Sequence, residues 1–144
     1  EQVASLAKSL SLTAVQLHGQ ESQSYIDQLT ELLRTNQLST EIWKAISVDQ
    51  QLPPLDLTAT HFVLDGKNAG SGQPFSWQLL AQTEQALSHC FLAGGLSADN
   101  IEQALALLTS QDLFGLDLNS GVEASPGIKS RDKLNHVFTH IRNY

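Results

Sequence analysis

An α/β fold built on a parallel sheet is predicted by three features of the sequence. Five short apolar segments are rich in β-branched or aromatic residues or are bounded by Gly or Asp, as is typical of buried strands. Successive segments begin about one βα unit apart. Amphipathic helical patterns lie between several of them. Strands that alternate with helices indicate a parallel sheet, although five strands alone fit either an open doubly wound sheet or part of a barrel.

Each element has its own local signal, and the helix with the strongest start signal begins at Ser97. Ser97 is a favourable N-cap, and Asp99 and Asn100 lie in the first turn. Apolar stripes predict helices over residues 1–10, 21–35, 76–87, 97–108 and 130–142. The strands are expected at residues 14–17, 42–46, 62–64, 90–93 and 114–118.

The composition fits one domain over residues 1–144. With 41% hydrophobic and 16% charged residues, the chain can bury a core and does not resemble a disordered segment. The net charge of −7, with only 8 Lys and Arg and no basic cluster, argues against a nucleic-acid or membrane-surface partner. No apolar run reaches membrane-spanning length and no signal peptide opens the chain, so the cytoplasm is the expected location.

Cysteine, methionine and cofactor motifs add further expectations. Cys90 is the single cysteine, which excludes an internal disulfide and is typical of a reducing compartment. It starts a predicted strand, away from the carboxyl ends, so we interpret it as a small core residue. The chain begins with Glu1 and contains no Met, so we expect it to start inside a longer polypeptide. No cluster of Cys, His and carboxylates has metal-ligand spacing, and no P-loop or dinucleotide fingerprint occurs, so neither a metal nor a cofactor is expected.

Polar or glycine residues stand at the end of every predicted strand. The carboxyl ends of parallel strands meet on one side of a sheet, where functional residues gather. We therefore expect one converging site that draws on His18, Lys44, Asp65, Gly94, Gly95, Asp117, Asn119 and Ser120.

Three glycine-containing segments are candidates for a phosphate site. Gly94 and Gly95 lead directly into a predicted helix, where backbone N–H groups and the helix dipole favour an anion. Asn119 and Ser120 follow the next strand, and a barrel places a phosphate site at such a pair of loops. The Gly70-Ser71-Gly72 segment follows the Asp65 strand and can fold over a ligand. Each segment taken alone fits an ordinary tight turn equally well or better.

Asp65 is the best candidate for a catalytic residue. A partly buried carboxyl beside a phosphate dianion holds its proton more tightly, and such a group can act as a general acid. The alternative is an aspartate that caps a turn before Gly66. His18 fits an acid–base role or a structural hydrogen bond. Asp117 fits a contact with a sugar hydroxyl or with a backbone N–H, and Lys44 fits a substrate contact or an ion pair with a carboxylate such as Asp65 or Asp117.

The motifs at these strand ends resemble those of phosphoribosylanthranilate isomerases in order and spacing from near the start of the chain to its end. The resemblance includes the variant at Asn119 and is greatest to the isomerase domain of the bifunctional bacterial enzyme, which is fused behind indole-3-glycerol-phosphate synthase. The matching segments are Val15-Gln16-Leu17-His18-Gly19, Trp43-Lys44-Ala45, Val63-Leu64-Asp65, Gly70-Ser71-Gly72 with Phe75 and Trp77, Leu92-Ala93-Gly94-Gly95-Leu96 with Asn100, and Gly115-Leu116-Asp117-Leu118-Asn119-Ser120-Gly121-Val122-Glu123 with Pro126-Gly127.

The resemblance implies a (β/α)₈ TIM barrel of which this chain supplies strands four to eight. It implies that the N-terminal βα units lie outside the chain. In this family the general base is a cysteine on the first strand, in a Lys-Ile-Cys-Gly-like motif that Cys90 does not match. The isolated chain is therefore expected to be inactive.

The implied reaction is the Amadori rearrangement of N-(5-phosphoribosyl)anthranilate in tryptophan biosynthesis, without cofactor or metal. Asp65 would be the general acid. The phosphorylated substrate would be held by Gly70, Gly72, Gly94, Gly95, Asn119 and Ser120, with Asp117 and His18 as further contacts. A fused indole-3-glycerol-phosphate synthase domain is the implied partner. The alternatives are a non-catalytic phosphate-binding α/β module and another sugar-phosphate isomerase on the same barrel.

Overall fold

The computed structural model describes residues 1–66 and 75–144. These residues form two compact units. The first consists of Glu1–Ile46 with Leu55–Phe62, and the second of Ser47–Pro54 with Val63–Tyr144. The main sheet has five strands in the order in which they occur along the chain.

The first unit contains helix α1 (Gln2–Ser9), strand β1 (Ala14–Leu17), helix α2 (Gln23–Thr35) and most of strand β2 (Glu41–Val48). β1 and β2 pair in parallel, with Leu17 opposite Lys44. The two helices and two strands form one apolar cluster because each has its apolar stripe on the same side. The buried residues of that cluster are Ala4, Ala7, Leu17, Ile26, Leu29, Leu33 and Ile42.

Local hydrogen bonds set the limits of α2. Ser22 is its N-cap, and the Ser22 side chain accepts a hydrogen bond from the Tyr25 N–H at 3.4 Å. At the other end, Asn36 donates twice to the Leu32 carbonyl, through its backbone N–H at 3.1 Å and through Nδ2 at 2.8 Å, so its side chain adds a second hydrogen bond to the last turn. The next residue, Gln37, has a φ of 57°, a left-handed conformation that ends the helix.

The second unit contains most of strand β3 (His61–Gly66), a short helix α3 (Gln78–Ala81), strand β4 (Cys90–Leu92), helix α4 (Ile101–Ser110) and strand β5 (Gly115–Leu116). β4 and β5 pair in parallel. Two backbone hydrogen bonds align the strands near their carboxyl ends, from Ala93 N to Leu64 O at 2.9 Å and from Asp117 N to Leu92 O at 2.8 Å. These bonds place the residues that follow the strands side by side.

A small hairpin and a final helix complete this unit. Strand β6 (Glu123–Ser125) pairs antiparallel with strand β7 (Ile128–Lys129), and helix α5 (Arg131–Arg142) begins after the Ser130 N-cap. α5 packs on α4 through a cluster whose buried members are Ile101, Leu105, Val122 and Val137. Within the described residues, no helix combines the length and apolarity needed to cross a membrane.

The α/β class and its parallel sheet are confirmed, and four details of the prediction were wrong. The strand expected over 114–118 is limited to Gly115–Leu116. The helix expected from Ser97 begins at Ile101, because residues 98–100 form a turn. The helix expected over 76–87 is limited to Gln78–Ala81. The β6–β7 hairpin was not predicted, because its strands are too short to show an alternating pattern.

Candidate functional site

Asp65 and Gly94 lie against each other where β3 and β4 end. Asp65 Oδ1 accepts a hydrogen bond from the Gly66 N–H at 2.7 Å. Gly94 has a φ of +79°, and a Cβ atom built on it would overlap Asp65 Oδ1 and lie 3.0 Å from Gly66 N. The absence of a side chain at Gly94 therefore makes room for the Asp65 carboxyl at the mouth of the turn.

The turn after β4 is stabilised by Asn100. Asn100 Nδ2 donates to the Gly95 carbonyl at 2.9 Å, and Asn100 Oδ1 accepts from the Ser97 N–H at 2.9 Å. Asn100 occupies the N-cap position of α4, but its side chain makes no hydrogen bond to that helix. Instead, the amide links Gly95 and Ser97 across the turn, and Gly94 and Gly95 have left-handed conformations, with φ values of 79° and 70°.

The turn after β5 contacts the turn after β4. Residues Ser120–Val122 form a short 3₁₀ helix, and Gly121 packs directly on the Leu96 carbonyl oxygen. A Cβ atom on Gly121 would overlap that oxygen and lie 3.1 Å from Ser97 Cβ. The two turns predicted to hold a phosphate are therefore neighbours in the structure.

Lys129 brings a positive charge to this pair of turns, and the sequence reasoning did not identify it. Its ammonium donates to Asn119 O at 2.8 Å, to Asn119 Oδ1 at 2.6 Å and to Glu123 Oε1 at 2.9 Å. The side chain remains 41% exposed. Only the β6–β7 hairpin folds Lys129 back toward Asn119, and the one sequence signal for that hairpin was the Pro126-Gly127 pair.

Asp117 shares an electrostatic environment with Asp65 and Lys129. Partial removal from water, together with the nearby Asp65 carboxylate, raises the pKa of Asp117, and the Lys129 ammonium acts in the opposite direction. Two acidic groups and one ammonium therefore act on one another beside the glycine turns. Such a set can hold sugar hydroxyl groups and transfer a proton.

Lys44 forms an ion pair with a carboxylate, which was one of the two roles expected from the sequence. The partner is Glu21, which also belongs to the first unit. The lysine is only 4% exposed, and its ammonium donates to Gly19 O at 2.9 Å and to Ala45 O at 2.8 Å. Glu21 Oε2 lies 3.2 Å from the ammonium, and the Glu21 carboxylate also accepts from the Gly19 N–H. The expected partners Asp65 and Asp117 were wrong, because the chain after β1 places Glu21 over the end of β2.

The Glu21 carboxylate is held in its charged form by these contacts. Burial alone would raise the pKa of Glu21. Hydrogen bonds from its own N–H, from Lys44 and from Gly19 outweigh that effect, so the pKa lies below its ordinary value.

The other predicted positions fall into separate groups. His18 follows β1 in the first unit and is exposed. Asp65, Gly94, Gly95, Asp117, Asn119 and Ser120 all belong to the second unit. Gly70 and Gly72 lie outside the described residues. Cys90 is fully buried, and burial raises the pKa of its thiol to about 12, which agrees with a core position.

A match to a family model decides the affiliation of the chain. Residues 1–140 match the model of N-(5'phosphoribosyl)anthranilate (PRA) isomerase. The chain belongs to the PRA isomerase family.

Similar proteins agree with this family. A tryptophan biosynthesis protein TrpCF from Yersinia pestis is 46% identical over 145 residues, which is 100% of this chain and 29% of the relative. A TrpCF from Buchnera aphidicola subsp. Diuraphis noxia is 43% identical over 100% of this chain and 30% of the relative. The phosphoribosyl anthranilate isomerase structure from Thermus thermophilus has a TM-score of 0.76 and 32% identity, over 99% of this chain and 66% of the solved chain.

This PRA isomerase chain spans only part of the length of its relatives. It spans about 30% of the TrpCF relatives and about two thirds of the solved isomerase.

Proposed function

We propose that this chain is the C-terminal part of a PRA isomerase barrel, with β1 to β5 as the fourth to eighth barrel strands. The strand order supports this assignment, because neighbours in the sheet are neighbours in sequence, as in a barrel wall. A doubly wound sheet instead reverses its strand order at a switch point. The proposed activity belongs to the longer polypeptide that carries the chain, and that polypeptide includes an indole-3-glycerol-phosphate synthase domain as in the TrpCF relatives.

The contact between Asp65 and the Gly94 turn carries the proposal. We place the ribose of N-(5-phosphoribosyl)anthranilate beside Asp65 and its phosphate at the two turns after β4 and β5. Asp65 then donates its proton to the furanose ring oxygen, the C1–O bond breaks, and a Schiff base to the anthranilate nitrogen forms. A base removes the C2 proton to give an enolamine, which tautomerises to the ketone.

The phosphate cradle follows from the paired turns. Left-handed glycines at 94 and 95 let an anion approach the backbone, and Asn100, the N-cap residue of α4, is hydrogen-bonded to the Gly95 carbonyl. Gly121 keeps the Asn119–Ser120 turn in contact with Leu96, and Lys129 adds a cation beside Asn119. Backbone N–H groups, a helix N-terminus and an ammonium are the groups that bind phosphate in proteins.

The general base lies outside this chain in the proposal. Cys90 is fully buried in β4, with a thiol pKa of about 12, so it is protonated at neutral pH. We expect the isolated chain to be inactive, and we expect Cys90→Ala in the whole polypeptide to retain turnover. Loss of turnover on Cys90→Ala, in a variant that still folds, would contradict this part of the proposal.

An Asp65→Asn variant of the whole polypeptide tests the acid. Asparagine keeps the size of the side chain but cannot donate the ring proton, so kcat should fall about 10²–10⁴-fold with little change in KM. Asp112→Asn is the matched control, because Asp112 is exposed and its φ of 51° is one that asparagine tolerates. An unchanged kcat in Asp65→Asn removes Asp65 as the acid.

A competition assay tests the substrate class. A ribulose 5-phosphate analogue with the anthranilate ring should compete much more strongly than the same analogue without it. Equal competition would instead favour another sugar-phosphate isomerase, and binding of both with no turnover by the whole polypeptide would favour a non-catalytic module.

A further inference from the structure

We propose a binding site for a divalent transition metal ion on the outer side of the second unit, formed by His136 and His140 of α5 and oriented by Glu102 of α4. The two histidines are four residues apart, so their side chains lie one above the other on the same face of the helix. This site is separate from the turns that carry the proposed function, and it does not depend on that proposal.

The distance between the two imidazoles is the first observation. The Nε2 atoms of His136 and His140 are 3.2 Å apart, and the ring centroids are 4.9 Å apart with the planes tilted by 35°. Two nitrogens bound to one tetrahedral zinc ion at 2.0–2.1 Å lie about 3.3 Å from each other. The rings are therefore already spaced as two ligands of one metal ion.

Glu102 supplies the second observation. Its Oε1 lies 3.1 Å from His140 Nδ1, on the opposite side of the ring from His136. A carboxylate in this place accepts the Nδ1 proton and leaves the Nε2 lone pair of His140 directed toward His136. The same carboxylate–histidine arrangement orients metal-bound histidines in proteins and makes the imidazole a stronger ligand.

The metal-free form places one proton between the two Nε2 atoms. His136 donates through its Nε2–H and His140 accepts. A metal ion that replaces this proton lies to one side of the line between the two Nε2 atoms, at about 2.0–2.1 Å from each. The His136 proton moves through water to its own Nδ1, so both neutral rings bind through Nε2 and the charge of the two rings is unchanged. Solvent reaches the pair, because His140 is 31% exposed at its side chain and lines an open surface depression of about 300 Å³.

The proposed site has two protein ligands, and water completes the coordination shell. Among residues 1–66 and 75–144, no group of three or more His, Cys, Asp or Glu side chains is arranged to hold a metal ion. Two imidazoles favour borderline ions such as Zn²⁺, Ni²⁺ and Cu²⁺ over Mg²⁺ and Ca²⁺, which prefer oxygen. The affinity should rise from Mn²⁺ through Co²⁺ and Ni²⁺ to Cu²⁺, with Zn²⁺ below Cu²⁺.

Calorimetric titration of the untagged, metal-stripped whole polypeptide with ZnCl₂ and with NiCl₂ tests the site. His136→Ala and His140→Ala should each lose one equivalent of bound metal, whereas His89→Ala should lose none. Glu102→Gln should keep the stoichiometry but bind roughly 10–100-fold more weakly, because the imidazole orientation is no longer held. The melting temperature should rise with ZnCl₂ in the parent protein and in His89→Ala, and this rise should be absent from His136→Ala.

Equal stoichiometry and affinity in His136→Ala and in the parent protein would overturn the proposal and show nonspecific binding to surface carboxylates. Alanine favours helix, so the exposed His136→Ala change should leave α5 folded, and circular dichroism checks this. Should a variant fail to fold, the imidazole nitrogen resonances of the parent protein decide. Zinc must shift Nε2 of both His136 and His140, and no shift at these atoms rejects the site.

Discussion

Asp65 Oδ1 occupies the place that a Cβ atom on Gly94 would take, so the carboxyl and the turn are in direct contact. This contact joins the proposed proton donor to the proposed phosphate site within one unit of the chain. The relationship depends on a glycine, because every other residue carries a Cβ atom.

Gly94→Ala should therefore damage both stability and turnover. The left-handed φ of +79° costs alanine about 1–2 kcal/mol, and the overlap with Asp65 Oδ1 adds to this loss. Gly127→Ala is a matched control, because Gly127 has the same φ of +79° and no atom lies within 4 Å of its added Cβ. Urea unfolding should show a larger loss for Gly94→Ala, and only that variant should lose turnover in the whole polypeptide. Equal losses of stability would mean that the Asp65 contact is unimportant.

Gly121→Ala tests the contact between the two turns. The added methyl group overlaps the Leu96 carbonyl oxygen, which is backbone and cannot rotate away, so the turns must separate. A displacement of about 1 Å at a binding site can lower kcat/KM about 100-fold. Gly115→Ala provides the comparison, because its Cβ meets only the Phe91 ring, at 2.9 Å, and a side chain can shift. Similar steady-state kinetics for the two variants would show that the contact between the turns does not matter for the reaction.

The pH dependence of stability should report the raised pKa of Asp117. Because the folded protein holds this proton more tightly than the unfolded chain, the ionisation of Asp117 lowers stability as the pH rises from about 3.8, the ordinary value. Asp117→Asn should therefore be more stable than the parent protein at pH 7, and the difference should disappear well below pH 3.8.

Two further variants separate the causes of this shift. Lys129→Gln should raise the pKa of Asp117 further, and Asp65→Asn should lower it, because these changes remove the attractive and the repulsive charge respectively. Carboxyl ¹³C chemical shifts measured during a pH titration check both directions. A change in the opposite direction for either variant would show that the charges do not act on Asp117 as the structure indicates.

Removal of the acid from the Lys44–Glu21 pair should lower the stability of the folded protein more than removal of the base. Glu21→Gln leaves a buried ammonium that faces neutral acceptors, including the Gly19 and Ala45 carbonyls, and no counter-charge, which should cost about 3 kcal/mol. Lys44→Met removes the buried charge and leaves Glu21, whose side chain is 22% exposed and can be hydrated, so its cost should be smaller. Urea unfolding of both variants at pH 7 measures the difference.

Acid conditions should reduce the effect of Glu21→Gln. The lowered pKa of Glu21 means that its charged form stabilises the fold above the ordinary value of 4.5, and that this contribution is lost as the pH falls. Glu31→Gln is the control, because the Glu31–Arg34 pair is exposed and should contribute little at any pH. A cost of Glu21→Gln that stays constant from pH 7 to pH 3 would contradict the assigned role of its carboxylate.

Local patterns were sufficient for much of the fold. The helices expected over 21–35 and 130–142 lie within two residues of α2 and α5, because the apolar stripes that predict them include the residues that these helices bury, such as Ile26, Leu29 and Val137. The expected helix from Ser97 began too early, since Asn100 uses its side chain to close the preceding turn instead. A residue's preference for a cap does not reveal which of two nearby turns it will stabilise.

The sequence by itself determined the alternation of strands and helices, and it identified the strand ends that carry Asp65, Gly94 and Asn119, because periodicity and turn chemistry are properties of neighbouring residues. Only the tertiary structure decided that Lys44 pairs with Glu21 and that Lys129 reaches Asn119. Those contacts join residues separated in the chain, and they depend on strand register and on the direction of the turns. A change of one residue in register turns a side chain to the other face of a sheet, so composition and spacing alone do not select such partners.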